Sequence, residues 1–410
     1  MMDASDPSPA PDPWWHGVDG TALGRIDGSD FRVFIMKSVV IVVSHPGTAR
    51  AFLGYQLSVL SKTYRVSVVA NARPGELGFL PKTVRPFSIR LERRPAPLHD
   101  LLALFALYRL FRRERFDLVH SMTPKAGLLA MVAAFASRVP VRLHTFTGEV
   151  WATRQGWSRW LLKKSDRLTA ALATDVMVTS PSERDFLQAE GVLTSAEGRV
   201  LAGGSLSGVD TERFAPDPAV RRSVRAELEI EDDEVIFLFL GRLTGDKGVI
   251  QLARAWQQIA PARMGGYLVL VGPDEEGLLN LSLLKKTERM VAVDQTWQPE
   301  RYLKAADVLC LPSRREGFGT VIIEAACAAV PAIASRIYGV VDAVVDGETG
   351  LLFPVDDVDS LTACMMRLLT DSDIRRRLGE AARERAVTEF SQEIVTAALT
   401  RVYADALTAT

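Results

Sequence analysis

From Met36 onward, short runs of β-branched and aliphatic residues alternate with segments whose apolar positions recur every three to four residues. Val39–Val43, Val66–Ala70, Asp117–His120, Val141–Thr145 and Asp175–Thr179 read as strands. Ala51–Ser61, Leu98–Arg113, Gly127–Ala136, Ser158–Ala173 and Glu183–Glu190 read as helices. Strand–helix alternation of this kind builds a parallel sheet with helices on both faces. The pattern restarts at Val235, where an apolar run to Leu240 precedes helical spacing from Val249. Between the two series, Leu201–Pro218 carries Gly203, Gly204, Gly208 and Pro216 and predicts a connection. The expectation is α/β, with two doubly wound domains over 36–205 and 206–390, an interdomain cleft at the strand C-termini, and a final helix over 391–410. Residues 1–35, rich in Asp, Pro and Gly and without periodicity, predict a disordered extension, with Met36 a natural start for the folded part.

Composition narrows the class. A chain of 410 residues, 48% hydrophobic and 24% charged, fills two α/β cores, and no apolar run reaches the length of a membrane span. The three cysteines, Cys310, Cys327 and Cys364, lie in apolar surroundings without metal-ligand spacing, which predicts a reducing cytoplasm and no metal. Residues 37–214 hold 25 Lys and Arg against 14 Asp and Glu, a net of +11, while the whole chain is −1, leaving −12 elsewhere. A basic first half suggests orientation on an anionic membrane surface or capture of a lipid diphosphate. Leu98–Arg115 sets Leu101, Leu102 and Phe105 beside Arg109, Arg112 and Arg113, and Trp157–Lys164 sets Trp157 and Trp160 beside Lys163 and Lys164, so either segment suits the inner face of a membrane. The cations lack a recognition module, so nucleic acid is not an expected partner.

Two segments carry the chemistry. Arg314–Ala325 reads R-R-E-G-F-G-T-V-I-I-E-A, with Gly317 and Gly319 around Phe318 and a helix opening near Thr320. Such a start offers free N–H groups to an anion such as a diphosphate. Carboxylates repel phosphate, so Glu316 and Glu324 suit sugar and ribose hydroxyls; Glu324 stands among Ile322, Ile323, Ala325 and Ala326, too apolar a setting for an idle acid. Upstream, the strand ending at Leu240 runs into Gly241-Arg242-Leu243-Thr244-Gly245-Asp246-Lys247-Gly248, which aims a fork and a point charge at a phosphate.

G-R-L-x-x-x-K-G at Gly241–Gly248, V-G-P-D-E at Val271–Glu275, the two acids Glu316 and Glu324 eight apart, and D-G-E-T-G-L-L at Asp346–Leu352 together resemble the retaining glycosyltransferases of the GT-B fold. The resemblance spans nearly all of the chain from Lys37 and implies two Rossmann-like domains facing a cleft. It implies that Arg242 and Lys247 hold the donor diphosphate, that Glu316 and the amides of Gly317, Phe318, Gly319 and Thr320 face the donor sugar, and that Glu324 holds the ribose. It further implies a nucleotide-sugar donor, most commonly a uridine one, a lipid-linked or envelope-polysaccharide acceptor, retention by front-face attack, no cofactor and no required metal. A soluble transferase with a small acceptor, a nucleotide-sugar epimerase of related fold and an inactive scaffold stay open as alternatives.

The first half departs from the family pattern. Ser44-His45-Pro46-Gly47-Thr48 replaces a double glycine, leaving Gly47 for close backbone approach to the donor and His45 as a polar strand-end residue. Lys125, near a helix start, suits an anionic acceptor. In Arg142–Trp151 many relatives carry a histidine directly before the glycine, where this chain has Thr147. His144, three residues earlier, is either a cleft residue or, by strand alternation, a hydrogen-bonded histidine inside the domain, the second carrying more weight.

Overall fold

The computed structural model describes residues 36–92, 96–259 and 265–409; the extension expected over 1–35 lies outside them. Two parallel sheets organise the chain. The first contains β1 (Ser38–Val42), β2 (Arg65–Ala70), β3 (Arg85–Ser88), β4 (Leu118–Met122), β5 (Val141–Thr145), β6 (Asp175–Val178) and β7 (Arg199–Val200), in the order β3-β2-β1-β4-β5-β6-β7. The second contains β8 (Val235–Leu240), β9 (Gly266–Val271), β10 (Met290–Val293), β11 (Val308–Leu311), β12 (Ala332–Ser335) and β13 (Gly350–Phe353), in the order β10-β9-β8-β11-β12-β13. Chain order reverses between β1 and β4 and again between β8 and β11, and the crevice at such a switch is where α/β folds place ligands. β1 and β4 are buried along their whole length, as central strands of a sheet covered on both faces must be.

Several elements differ from their sequence reading, each for a local reason. The single helix expected at Ala51–Ser61 is two, Pro46–Phe52 and Gly54–Leu60. Pro46 sits at the helix start, and the Nδ1 of His45 accepts a hydrogen bond from the Gly47 N–H at 3.0 Å, so the expected turn is a capped first helical turn. The helix expected from Gly127 begins at Pro124 for the same proline reason, which puts Lys125 inside it. β3 and β7, short edge strands without a long apolar run, left no pattern in the sequence.

The halves are joined by two chain passes that run side by side. Val209 N donates to the Phe390 carbonyl at 2.9 Å and Gln392 N donates to the Val209 carbonyl at 2.8 Å. Gly208, at φ +69, has no room for a side chain, because a Cβ there meets the Ser391 carbonyl at 2.7 Å. Beyond this crossing the helix Gln392–Thr408 lies on the first sheet, where Val395, Leu399, Val402, Tyr403 and Leu407 join Leu57, Leu60 and Val66 in one apolar cluster. The Tyr403 hydroxyl lies 2.7 Å from Nδ1 of buried His120, whose Nε2 is 2.7 Å from Thr145 Oγ1. Burial lowers His120 to about 3, so it serves as a neutral hydrogen-bonding link.

A second buried polar pair closes the far side of the first half. Trp151 Nε1 donates to Asp166 at 2.7 Å, and burial pushes the Asp166 carboxyl up to about 7. The folded chain therefore keeps a proton that the unfolded chain releases near pH ~4. Between those values the unfolded state binds fewer protons, so this group's contribution makes stability fall as pH rises from about 4 to about 7, with no further change above. Asp166→Asn keeps an acceptor for Trp151 and has no such proton. Thermal-denaturation midpoints at pH 5 and pH 8 should differ less in this variant than in the parent; an unchanged difference would count against the assignment.

Candidate active site

The loop 241–248 leaves β8 and returns as the helix Val249–Gln258. Gly248 opens that helix at φ +72, where a Cβ would meet the Pro312 carbonyl at 2.0 Å, so the loop lies directly against the end of β11. Arg314 N donates to the Asp246 carbonyl at 2.9 Å and the Arg315 guanidinium lies 3.6 Å from the Asp246 carboxylate. These contacts bring two predicted residues together: Lys247 Nζ lies 2.5 Å from Glu316 Oε1. Arg242, on the same loop, pairs with Glu275 at 2.8 Å, and the Gly245 N–H donates to Glu276 at 2.8 Å. Both cations rest on carboxylates.

Glu316-Gly317-Phe318-Gly319 then leads into the helix Thr320–Cys327, with Gly319 at φ +81 as its first cap. Glycine is demanded here by protein as much as by any ligand. A Cβ on Gly317 would lie 2.6 Å from the Thr147 carbonyl carbon and 2.7 Å from Thr179 Oγ1, and one on Gly148, at φ +93, 2.7 Å from Gly317 N. Gly339, at φ +81, packs equally closely on the Gly317 carbonyl from the second half. The side chain of Phe318 is buried against Phe390 at the crossing, 5.2 Å between ring centres, so its ring faces the core and not a ligand. Glu324 lies further along the helix, half-buried, with no side-chain hydrogen bond among the described residues. Burial pushes its carboxyl up to about 7, with Arg213 opposing the shift and Glu300 adding to it. It stands apart from the Lys247–Glu316 pair, with no contact joining them among the described residues.

The residues singled out in the first half are less united. Exposed His45 spends Nδ1 on its helix cap, and Gly47, in that helix's first turn, lies with its Cβ direction 4.0 Å from the Trp297 ring of the second half. Next to it the Arg50 guanidinium covers Trp297 at 4.2 Å, a contact the sequence did not suggest. Lys125 pairs with Asp100 at 2.5 Å. His144 is no cleft residue: it is 1% exposed in β5, with Nδ1 2.8 Å from Ser121 Oγ, its ring filling the space that a Cβ on Gly127 would need at 2.3 Å, and burial lowers it to about 3. Thr147 is placed at the interface, its backbone against Gly317.

Contacts across the halves include residues that sequence reasoning missed. Ser180 Oγ donates to the Gly317 carbonyl at 3.1 Å, Ser182 N donates to Asp342 at 2.9 Å, and Gly339 N donates to Ser182 Oγ at 2.7 Å. Tyr338 of the second half stacks on Phe186, 4.4 Å apart and 10° from parallel, and Phe186 stacks on Trp151. Buried Glu149 and Glu183 lie beneath this stack, and burial raises both carboxyls, Glu149 further because Glu183 is beside it. The one signal in the sequence was Ser180-Pro181-Ser182-Glu183, a helix-start pattern.

Comparison with known proteins agrees with this architecture. Residues 47–204 match a family described as a glycosyl transferase 4-like domain, and residues 220–385 match glycosyl transferases group 1. A capsular polysaccharide biosynthesis glycosyltransferase, CapM of Staphylococcus aureus, is 28% identical over 77% of this chain and 83% of its own. An Escherichia coli UDP-Gal:alpha-D-GlcNAc-diphosphoundecaprenol alpha-1,3-galactosyltransferase is 28% identical over 76% and 82%. Among solved structures, sucrose-phosphate synthase from Thermosynechococcus elongatus superposes with a TM-score of 0.75 at 24% identity, covering 91% of this chain and all of that one. The chain belongs to the GT-B glycosyltransferases and is a glycosyltransferase.

Proposed function

We propose that this glycosyltransferase takes a sugar from a nucleoside-diphosphate donor, a UDP-sugar, and passes it with retained configuration to a lipid-diphosphate-linked acceptor at an anionic membrane surface. The observation that carries the donor side is the Lys247–Glu316 ion pair at the mouth of a helix. In this reading the donor takes over both partners: its diphosphate replaces Glu316 at Lys247, and its sugar hydroxyls replace Lys247 at Glu316. Arg242 exchanges Glu275 for the same diphosphate, and Glu324 accepts from the ribose. The acceptor hydroxyl attacks the anomeric carbon on the face from which the phosphate leaves. The bond from that carbon to the phosphate oxygen breaks, and the acceptor's proton passes to the departing oxygen. Arg242, Lys247 and the N–H groups after Gly319 offset the charge that grows there, so this route calls for no metal and no cofactor.

The acceptor side rests on exposed apolar side chains of two helices. The helices Pro97–Glu114 and Gly156–Leu172 both pack on Pro124–Ala136. They leave Leu98 79%, Leu102 66%, Trp157 70% and Trp160 53% exposed, together with Leu101, Phe105, Phe135 and Leu161. Leu107 and Leu110, on the first of these helices, turn into the core. Arg109, Arg112, Arg113 and Lys164 stand on the same two helices, and an apolar surface carrying cations suits an anionic lipid interface, at the cytoplasmic face of the membrane. None of the described helices is long and apolar enough to cross a membrane. The names of the S. aureus and E. coli relatives, one for capsular polysaccharide and one for a diphosphoundecaprenol acceptor, support an envelope-glycan role.

A screen of nucleotide-sugars for thermal stabilisation, followed by product analysis with extracted lipid acceptors, tests this reading. Assayed in excess chelator, the parent should keep its turnover, while Lys247→Ala and Arg242→Ala should each lose roughly 100- to 1,000-fold with little change in melting temperature. Full turnover in both variants would remove the donor assignment. Because the ionised carboxyl is the stronger acceptor and Glu324 titrates at about 7, affinity for a nucleotide-sugar should be weaker at pH 6 than at pH 8 in the parent. In Glu324→Gln it should be weak and level across that range; a parental profile in the variant would exclude the ribose role. Finally, Leu101→Glu with Phe105→Glu should abolish sedimentation with phosphatidylglycerol vesicles at low salt while leaving donor binding intact, and unchanged sedimentation would exclude this face.

A further inference from the structure

Glu183 is fully buried, and its carboxylate is used more heavily than a helix cap requires. In a capping box the acid three residues into a helix reaches back to the N–H of the cap residue. Ser180 is that cap here, accepting from Glu183 N at 3.1 Å, yet the carboxylate passes it by. One oxygen accepts from the Gly148 N–H at 2.5 Å; the other accepts from the Thr179 N–H at 2.6 Å and from Thr179 Oγ1 at 2.7 Å. Gly148 follows β5 and Thr179 follows β6, so a single side chain ties the C-terminal ends of two adjacent strands. Those ends are the surface on which Gly317 sits. A Cβ on Gly317 would strike Thr147 and Thr179, a Cβ on Gly148 would strike Gly317 N, and Ser180 Oγ holds the Gly317 carbonyl.

We infer that Glu183 is a positioning residue for sugar transfer: from the opposite half of the molecule it fixes Gly148 and Thr179 as the seat that sets the backbone of Glu316, Gly317 and Phe318 against the donor sugar. The inference rests on the reading of that segment as the sugar's cradle. Glu183 touches no substrate. Its hydrogen-bond partners at the two strand ends all donate, so an amide in its place turns an N–H toward a donor at one of them, and that end must shift. Gly317 has no slack to ignore that shift. Arg242 and Lys247 stand on the loop after β8, and Glu324 stands in the second turn of the helix that the segment opens, beyond the residues seated on Gly148 and Thr179.

The test compares Glu183→Gln with the parent in two readouts: transfer from a UDP-sugar, and affinity for UDP, which lacks the sugar. Turnover should fall roughly 100-fold, the scale of a misplaced reacting group, while UDP affinity stays within about 2-fold. Glu183→Asp, which keeps an acceptor but draws it back from one of the two strand ends, should give the same split, and it decides the matter if Glu183→Gln does not fold. Turnover within about 2-fold of the parent in the folded variants overturns the inference, and so does a parallel loss of UDP affinity, the mark of a general structural defect. A parent that binds UDP and transfers sugar while the split fails leaves the donor reading standing and removes this role alone. A parent that binds no UDP and transfers nothing removes both.

Discussion

The fit of one backbone against another, across the two halves, is the constraint on which the candidate site depends. Gly317, Gly148 and Gly339 approach so closely that none tolerates a Cβ, and two of them hold φ values near +80° to +93° that other residues adopt at a cost. The segment proposed to hold the sugar is therefore shaped by the first half of the chain and by Gly339 as much as by its own strand. Ser180, Ser182 and the stacked rings of Trp151, Phe186 and Tyr338 hold that contact from one side, and Arg50 on Trp297 adds a second contact elsewhere along the interface. Small movements between the halves act directly on the residues that would face the donor.

Charge is organised on the same principle of exchangeable partners. Lys247 on Glu316 and Arg242 on Glu275 are part-exposed pairs, each only modestly stabilising in water. In the proposed reading, a diphosphate that takes over both cations meets groups already held in place and leaves Glu316 to the sugar hydroxyls. The buried acids behave differently. Glu149, Asp166 and Glu183 are locked among rings and backbone N–H groups in the first half, where burial raises all three.

What could be read from the sequence followed from period and punctuation. Val39–Val43 announced itself as a strand because both faces of a parallel sheet are apolar; Arg242, Lys247 and Glu316 stood out beside glycines that let a ligand approach the backbone, and Glu324 because an acid among Ile322, Ile323, Ala325 and Ala326 is costly without a partner. The Lys247–Glu316 contact could not be read, since it depends on two loops 69 residues apart meeting beside Pro312. The same limit explains His144. Its alternation in β5 left its direction open, and only the bare surface of Gly127 on a neighbouring helix makes room for its ring. Glu183 looked like a helix-start residue because its long-range partner, Gly148, lies 35 positions away.

The return of the last helix also bears on the order in which the molecule can be completed. The first half of the chain leaves the ribosome before the second, and its apolar face of Leu57, Leu60 and Val66 is covered by Val395 to Leu407, which follow the whole second sheet. Until then that face is open and His120 lacks its tyrosine partner. The half made earliest is thus finished latest, and a chain stopped short of Gln392 leaves apolar surface uncovered at the opposite end of the sequence from the break.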